Sequence, residues 1–381
     1  MRSAANVTSF DMAASIPAND LGVCVNQALA ALHELYPSAD LPGADWILGA
    51  RAEELGIVPS GQRSANGSCS LLACSDGWLA VNLARDSDRE LLGAWLAVDS
   101  KLTDWPALST ALAHRCGREL LSRGREMGLP VAFVQPAQMP KPQSASAEIE
   151  PQLQFNDLFE AGSRLGGPGS LRGAKVVDLS ALWAGPLCAH LLRRCGALVT
   201  TVSSHQRPDG AAQGSPELYQ RLHAGHQHAV FDFADPDQLA LIAQMLKEAD
   251  VVIEASRPRA LQGLGLDRET ITVVKPQIWL SLTAYGRRAP MGHWVGFGDD
   301  VAISEGLLHW AANDRPEFIG DAVADPLSGT YAALAVAHAV SLGLSGMIDL
   351  PMAAVAGLCR RKVSASGSAL VCPLKGPSHA D

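Results

Sequence analysis

The sequence predicts an α/β protein: a doubly wound parallel sheet with a smaller α+β domain. Three observations predict it. From residue 171 onward, short apolar runs alternate with helix-like spacing, which calls for parallel strands joined by right-handed helical crossovers. Before residue 135 the pattern is different, with helices around a single hairpin. The chain has 381 residues, 48% apolar and 18% charged, enough for more than one core at roughly 150 residues per domain.

The elements follow in order. In residues 1–135, positions 28–35 have helical spacing, and 45–55 repeat it with Trp46, Ile47, Leu48 and Leu55. In SLLACSDGWLAVNLA, two apolar runs flank Ser75-Asp76-Gly77, the pattern of a hairpin turning at Asp76-Gly77. Helical spacing returns over 89–96 and 107–127. Residues 136–170 contain PAQMPKPQSASAEIEP and GGPGS and read as a linker, because Pro, Ser and Gly break every period.

Residues 171–362 form the second domain. Strands are expected at 175–179, 197–202, 228–233, 250–254 and 277–283, with a helix at 186–194. Asp235-Pro236 opens a helix through 249, with Asp capping the first amides and Pro at a position that needs no N–H. Such sheets bind ligands beyond the carboxyl ends of their strands. Residues 363–381 read as a flexible tail.

Charge and composition exclude several classes. Thirty basic against 39 acidic residues give a net charge of −9, so bulk attraction to nucleic acid or an anionic membrane is not expected. No apolar run approaches the ~20 residues of a membrane span. The first residues lack the apolar core of a secretion signal, and the cytoplasm is the expected compartment. None of the eight cysteines forms a Cys-x-x-Cys pair, so zinc ribbons and thioredoxin chemistry are poor readings and reduced thiols are expected.

The stretch LRGAKVVDLSALWAGPLCAHLLRRCGALVTTV resembles the opening of the class III CoA-transferases, the family of formyl-CoA and carnitine CoA-transferases and alpha-methylacyl-CoA racemase. ADVVIEASRPRALQGLGLD, LSLTAYGRRAP, VADPLSGTYAALAVAHAV and GLSGMIDLPMAAVAG resemble later family segments, in family order. SDGWLAVNL is similar to a strand of the family's small domain, but stands before the nucleotide-binding-like half instead of after it. The chain therefore looks rearranged, or cut from a longer tandem protein.

The resemblance implies a Rossmann-like CoA-binding domain, coenzyme A as the substrate thioester, no metal, and acyl-CoA and carboxylate small molecules as partners. It implies a homodimer, with a homologous partner chain as the alternative. Asp325 matches the family's catalytic aspartate, a carboxylate that would be acylated in the reaction. It would sit just before a helix, and the plain alternative is an ordinary N-cap. Leu182, Trp183, Ala184 and Gly185 match the turn that lies against CoA, or are a structural turn. Arg207 and Arg257 match phosphate contacts, or are solvated surface arginines.

Three other groups stand out in the sequence. His223, His226 and His228 lack Cys or carboxylate partners at ligand spacing, and fit phosphate neighbours better than a metal site. Gly298 falls where racemases of the family carry a histidine, so two-base proton transfer lacks a partner. Asp299 and Asp300 would face opposite sides of a strand, or would cap a turn or helix. The reading is CoA transfer through an aspartyl anhydride and an aspartyl-CoA thioester. Its alternatives are a racemase or isomerase with Asp325 as base, and a non-catalytic CoA-binding subunit.

Overall fold

The computed structural model describes residues 21–99, 102, 104–135, 169–311 and 314–365. Most of the expected linker and the tail beyond residue 365 lie outside them.

The expected hairpin is present as β1 (Cys69–Cys74) and β2 (Gly77–Asn82). A third strand, β3 (Val131–Val134), pairs antiparallel with β2 and was not anticipated. Its four residues are all buried, so they show no alternation to read. One sheet face sends Leu79, Val81, Val131 and Phe133 against Trp95, Leu108 and Leu112 of the helices beside it. The other sends Leu71, Ala80, Ala132 and Val134 against Ile303, Leu308 and Phe318. The helix expected at 107–127 is two helices, Trp105–Leu112 and Gly117–Glu126. The hairpin-turn Asp76 starts the second by accepting the Gly117 N–H at 2.5 Å.

The large sheet has six parallel strands: β4 (Lys175–Asp178), β5 (Leu198–Ser204), β6 (Gln227–Phe231), β7 (Val251–Glu254), β8 (Ile278–Thr283) and, after a small β9 (His309–Ala311) and β10 (Arg315–Glu317) pair, β11 (Gly346–Pro351). Five were expected; β11 is the addition. Their order across the sheet is β11-β8-β7-β4-β5-β6. Counted from β4, this is the doubly wound arrangement, whose order reverses between β4 and β7. The helix Pro236–Glu248 opens as expected, with Asp235 accepting the Asp237 N–H at 2.9 Å.

Helices cover both faces of this sheet. One face carries the helices Ala184–Arg194, Ala324–Ser341 and Met352–Ala365. The helix Ala324–Ser341 is buried on nearly every side, so it has no apolar stripe. It passes so close to the helix Ala184–Arg194 that a Cβ on Gly329 would lie 2.5 Å from the Ala184 carbonyl oxygen. The helices Leu21–Leu35 and Ala44–Leu55 join this same core through Leu21, Val25, Leu32, Ile47 and Leu48. Among the described residues, no helix is long and apolar enough to cross a membrane.

Candidate active site

A cleft of about 220 Å³ opens beyond the carboxyl ends of β4, β7 and β8, at the place where the strand order reverses. Its walls include Leu182, Trp183, Ala184 and Gly185 from the turn after β4, Arg257 after β7, Trp294 to Phe297, and Asp325. Six of the seven expected site residues are therefore brought together. Arg207 does not line the cleft, but its charge bears on Arg257.

The turn after β4 is built around buried Asp178. Its carboxylate accepts the Ser180 N–H at 2.9 Å and the Ser180 hydroxyl at 2.5 Å. Gly185 is required here, because a Cβ would overlap the Ser180 hydroxyl. Leu182 sits in the left-handed region at φ +70°, a strained position for a branched residue. Its N–H is held by both oxygens of Asp209 at 3.1 Å, and its side chain stays exposed at the cleft mouth.

Asp325 lies inside its helix, not just before it. Val323 occupies the cap position and Asp325 is the second helical residue, so it does not cap the helix. The helix N-terminus still favours negative charge there. Asp325 is half-buried, with its carboxylate on the cleft. The Gly298 N–H donates to it. A Cβ on Gly298 would fall 2.5 Å from Asp325 Oδ2 and would also strike the Ala322 carbonyl. Ala322 turns the chain into this helix in a left-handed conformation at φ +45°.

Asp299 and Asp300 stand on the first turn of the helix Gly298–Ser304, not on a strand. Both are buried. Asp300 accepts the Phe297 N–H at 3.0 Å, as a cap would, and the Asn82 amide at 2.9 Å. Asp299 accepts the Ala322 N–H at 3.1 Å. Burial pushes Asp325 up to about 7; Arg51 opposes the shift, and Asp299 and Asp321 add to it. Burial also pushes Asp299 and Asp300 up to about 7.

At the other end of the cleft, burial and the charges of Arg259, Arg85 and Arg207 lower the pKa of Arg257. Arg85 follows β2 and is pinned by Asp88 and by the Gly128 carbonyl at 3.1 Å. The sequence reading missed Arg85, although Arg85-Asp86-Ser87-Asp88 is a legible helix start. It also missed Arg51. None of His223, His226 and His228 lines the cleft. Their rings cluster instead, with His223 5.6 Å from His226 and 5.8 Å from His228. Among the described residues, no group of three His, Cys, Asp or Glu could hold a metal ion.

The sequence model of CoA-transferase family III matches residues 171–359. Through this half, the chain belongs to CoA-transferase family III. The succinate–glutarate CoA-transferase of Agrobacterium fabrum is 29% identical over 202 residues, 48% of this chain and 50% of that protein. The succinyl-CoA:glutarate CoA-transferase of Homo sapiens is 27% identical over 172 residues, 42% of this chain and 39% of that protein. A CAIB/BAIF family protein from Brucella suis has a TM-score of 0.46 at 26% identity, covering 53% of this chain and 59% of that one. The chain thus spans about half the length, or less, of these curated relatives. The family III half contains β4 to β11, while Arg51 and Arg85 precede it.

Proposed function

We propose that this protein is a CoA-transferase moving CoA from an acyl-CoA donor to a carboxylate acceptor, with Asp325 as the nucleophile. The observation that carries this is a carboxylate that lines the cleft together with the turn Leu182–Gly185, within the family III half.

The steps balance without an outside reagent. The Asp325 carboxylate attacks the thioester carbonyl, forming a mixed anhydride and expelling CoA thiolate. The thiolate attacks the aspartyl carbonyl of that anhydride, releasing the donor acid as its carboxylate and leaving an aspartyl-CoA thioester. The acceptor carboxylate attacks this thioester, giving a second anhydride and CoA thiolate again. The thiolate then attacks the acceptor's acyl carbon and frees Asp325. Asp325 attacks as the ionised carboxylate, so adduct formation is expected to rise with pH through about 7.

Arg257 and Arg85, with Arg207 and Arg259 in the same field, would hold the phosphates of CoA, which a net-acidic protein must meet with local cations. Leu182 to Gly185 would line the path of the thiol arm. A racemase is disfavoured on geometry. Among the described residues lining the cleft, Asp325 is the only carboxylate or imidazole, and Gly298 has no space for a side chain. The proposed assembly is a homodimer in the cytoplasm, with a homologous partner chain as the alternative.

Intact mass after incubation with a mixed pool of acyl-CoA thioesters tests the mechanism. The expected result is a gain of one CoA on Asp325, absent in Asp325→Ala. An adduct that survives Asp325→Ala would sink it.

A further inference from the structure

We propose that Arg51 is a positioning residue that keeps Asp325 ionised and aimed into the cleft, so that a helix outside the family III half completes the site. This rests on the reading of Asp325 as nucleophile.

The sequence oddity comes first. In the helix Ala44–Leu55 the buried stripe runs Ala44, Ile47 and Leu48. Arg51, four residues after Ile47 and three after Leu48, falls on that same inward stripe. A guanidinium placed there is costly unless it is paired. The structure supplies the pairing: the Arg51 fork makes a two-point bond to Asp321, with Nε to Oδ2 at 2.6 Å. Asp321 is fully buried. The Arg51 Cζ lies 4.9 Å from the centre of the Trp183 ring, over that ring in the cleft wall. One side chain thus ties the Asp321 turn, which leads into the Asp325 helix, to the turn after β4.

The charges explain what it does. Asp321 comes from the turn before the Asp325 helix, and Asp299 from the helix Gly298–Ser304. Asp300 lies beside Asp299, and the Ser64 hydroxyl bonds to Asp299. Cys69 also faces Asp299 and Asp300, and burial keeps its thiol neutral. Arg51 is the cation that acts on Asp299, Asp321 and Asp325 together. Burial alone would lower its own pKa, but Asp321 raises it, so it stays charged. Without Arg51, three carboxylates would face one another in a water-poor pocket, and Asp325 would take up a proton. A protonated Asp325 cannot attack a thioester.

Two opposed substitutions test this in the full chain. The readouts are the pH titration of the Asp325 carboxyl by ¹³C NMR, assigned with Asp325→Asn, and the pH dependence of CoA-adduct formation. Arg51→Gln removes the cation, and the titration midpoint is expected to move alkaline by about one unit or more, with adduct formation at pH 6 slowed about tenfold. Arg51→Lys is expected to restore part of that shift. Asp321→Asn removes a carboxylate and releases Arg51 toward Asp325, and the midpoint is expected to move acid. Midpoints that stay in place in both Arg51→Gln and Asp321→Asn overturn the proposal, whatever the loss of rate or melting temperature. If Arg51→Gln does not fold, Asp321→Asn decides alone by the direction of its shift. The NMR titration needs no turnover, so a wild-type protein that forms no adduct would sink the nucleophile reading while leaving this test in force.

Discussion

At one end of the cleft four arginines share a field; at the other, three aspartates share one guanidinium. Both are crowds of like charge, but they settle differently. Arg207 is exposed and Arg257 half-buried, so water screens their repulsion. Asp299 is buried, and its carboxyl relieves the strain by holding its proton to higher pH. A cluster at the surface is thus a standing electrostatic field, whereas a cluster in the interior is a titrating unit. Each end also takes one arginine from the first third of the chain: Arg85 at the cationic end, Arg51 at the acidic end.

The largest way to break the acidic end is Asp325→Asn, which removes the nucleophile and keeps its shape. Adduct formation is expected to fall on the order of 10³-fold or more, read by intact mass over time. Gly298→Ala comes next. Its new methyl group would sit 2.5 Å from Asp325 Oδ2, so the carboxylate or the Ala322 turn must move. A displacement of that kind costs about 10²-fold in rate, and the strain costs roughly 1–3 kcal/mol of stability by denaturant unfolding.

The cationic end is expected to lose less per residue. Arg257→Ala should weaken CoA binding by roughly 1.5–3 kcal/mol, measured by calorimetry, as for lost bonds between charged groups. Arg207→Ala, exposed and outside the cleft wall, should cost under tenfold and lose most of its effect in about 1 M salt. An equal loss for the two would mean that the cleft and the arginine field are not the same site.

The smallest expected effect is on stability against pH. Burial pushes Asp178, Asp299, Asp300 and Asp325 up to about 7. A raised carboxyl stabilises the fold fully below its ordinary range and loses that contribution as pH rises through about 7. Burial depresses His190 to about 4 and His226 to about 3, so their contribution is lost as pH falls from ~6.5. The two sets oppose each other in mild acid. Above pH ~6.5 the histidine contribution is more than half complete and the four carboxyls outweigh it, so the melting temperature should fall from pH 6.5 to 8. Asp300→Asn should flatten that slope. Asp300 Oδ2 has no partner among the described residues, which suits a protonated carboxyl there.

Much of this was legible in the sequence because it is local. The strand at β4, the turn Leu182–Gly185 and the Asp-Pro helix start are each written within a dozen residues. Asp325 was legible only through ordered family motifs, since by itself Asp-Pro reads as a cap. The missed parts are non-local or lack a period. β3 is buried on both faces, so it shows no alternation. Arg51 and Asp321 lie 270 residues apart, and no window joins them. A charge on the apolar stripe of the helix Ala44–Leu55 was the available signal, visible once the helix boundaries were known.

Gly329 has a mechanical consequence. With no methyl group there, the helix that carries Asp325 is keyed directly against the helix that begins at Ala184. The thickness of one backbone then gauges the spacing between the carboxylate and the turn Leu182–Gly185. These two stretches of the lining are thereby joined, and Trp294 to Phe297 line the cleft from outside that joint. A carboxyl group that must make and break bonds at every stage of a turnover is served by a bench that does not slide.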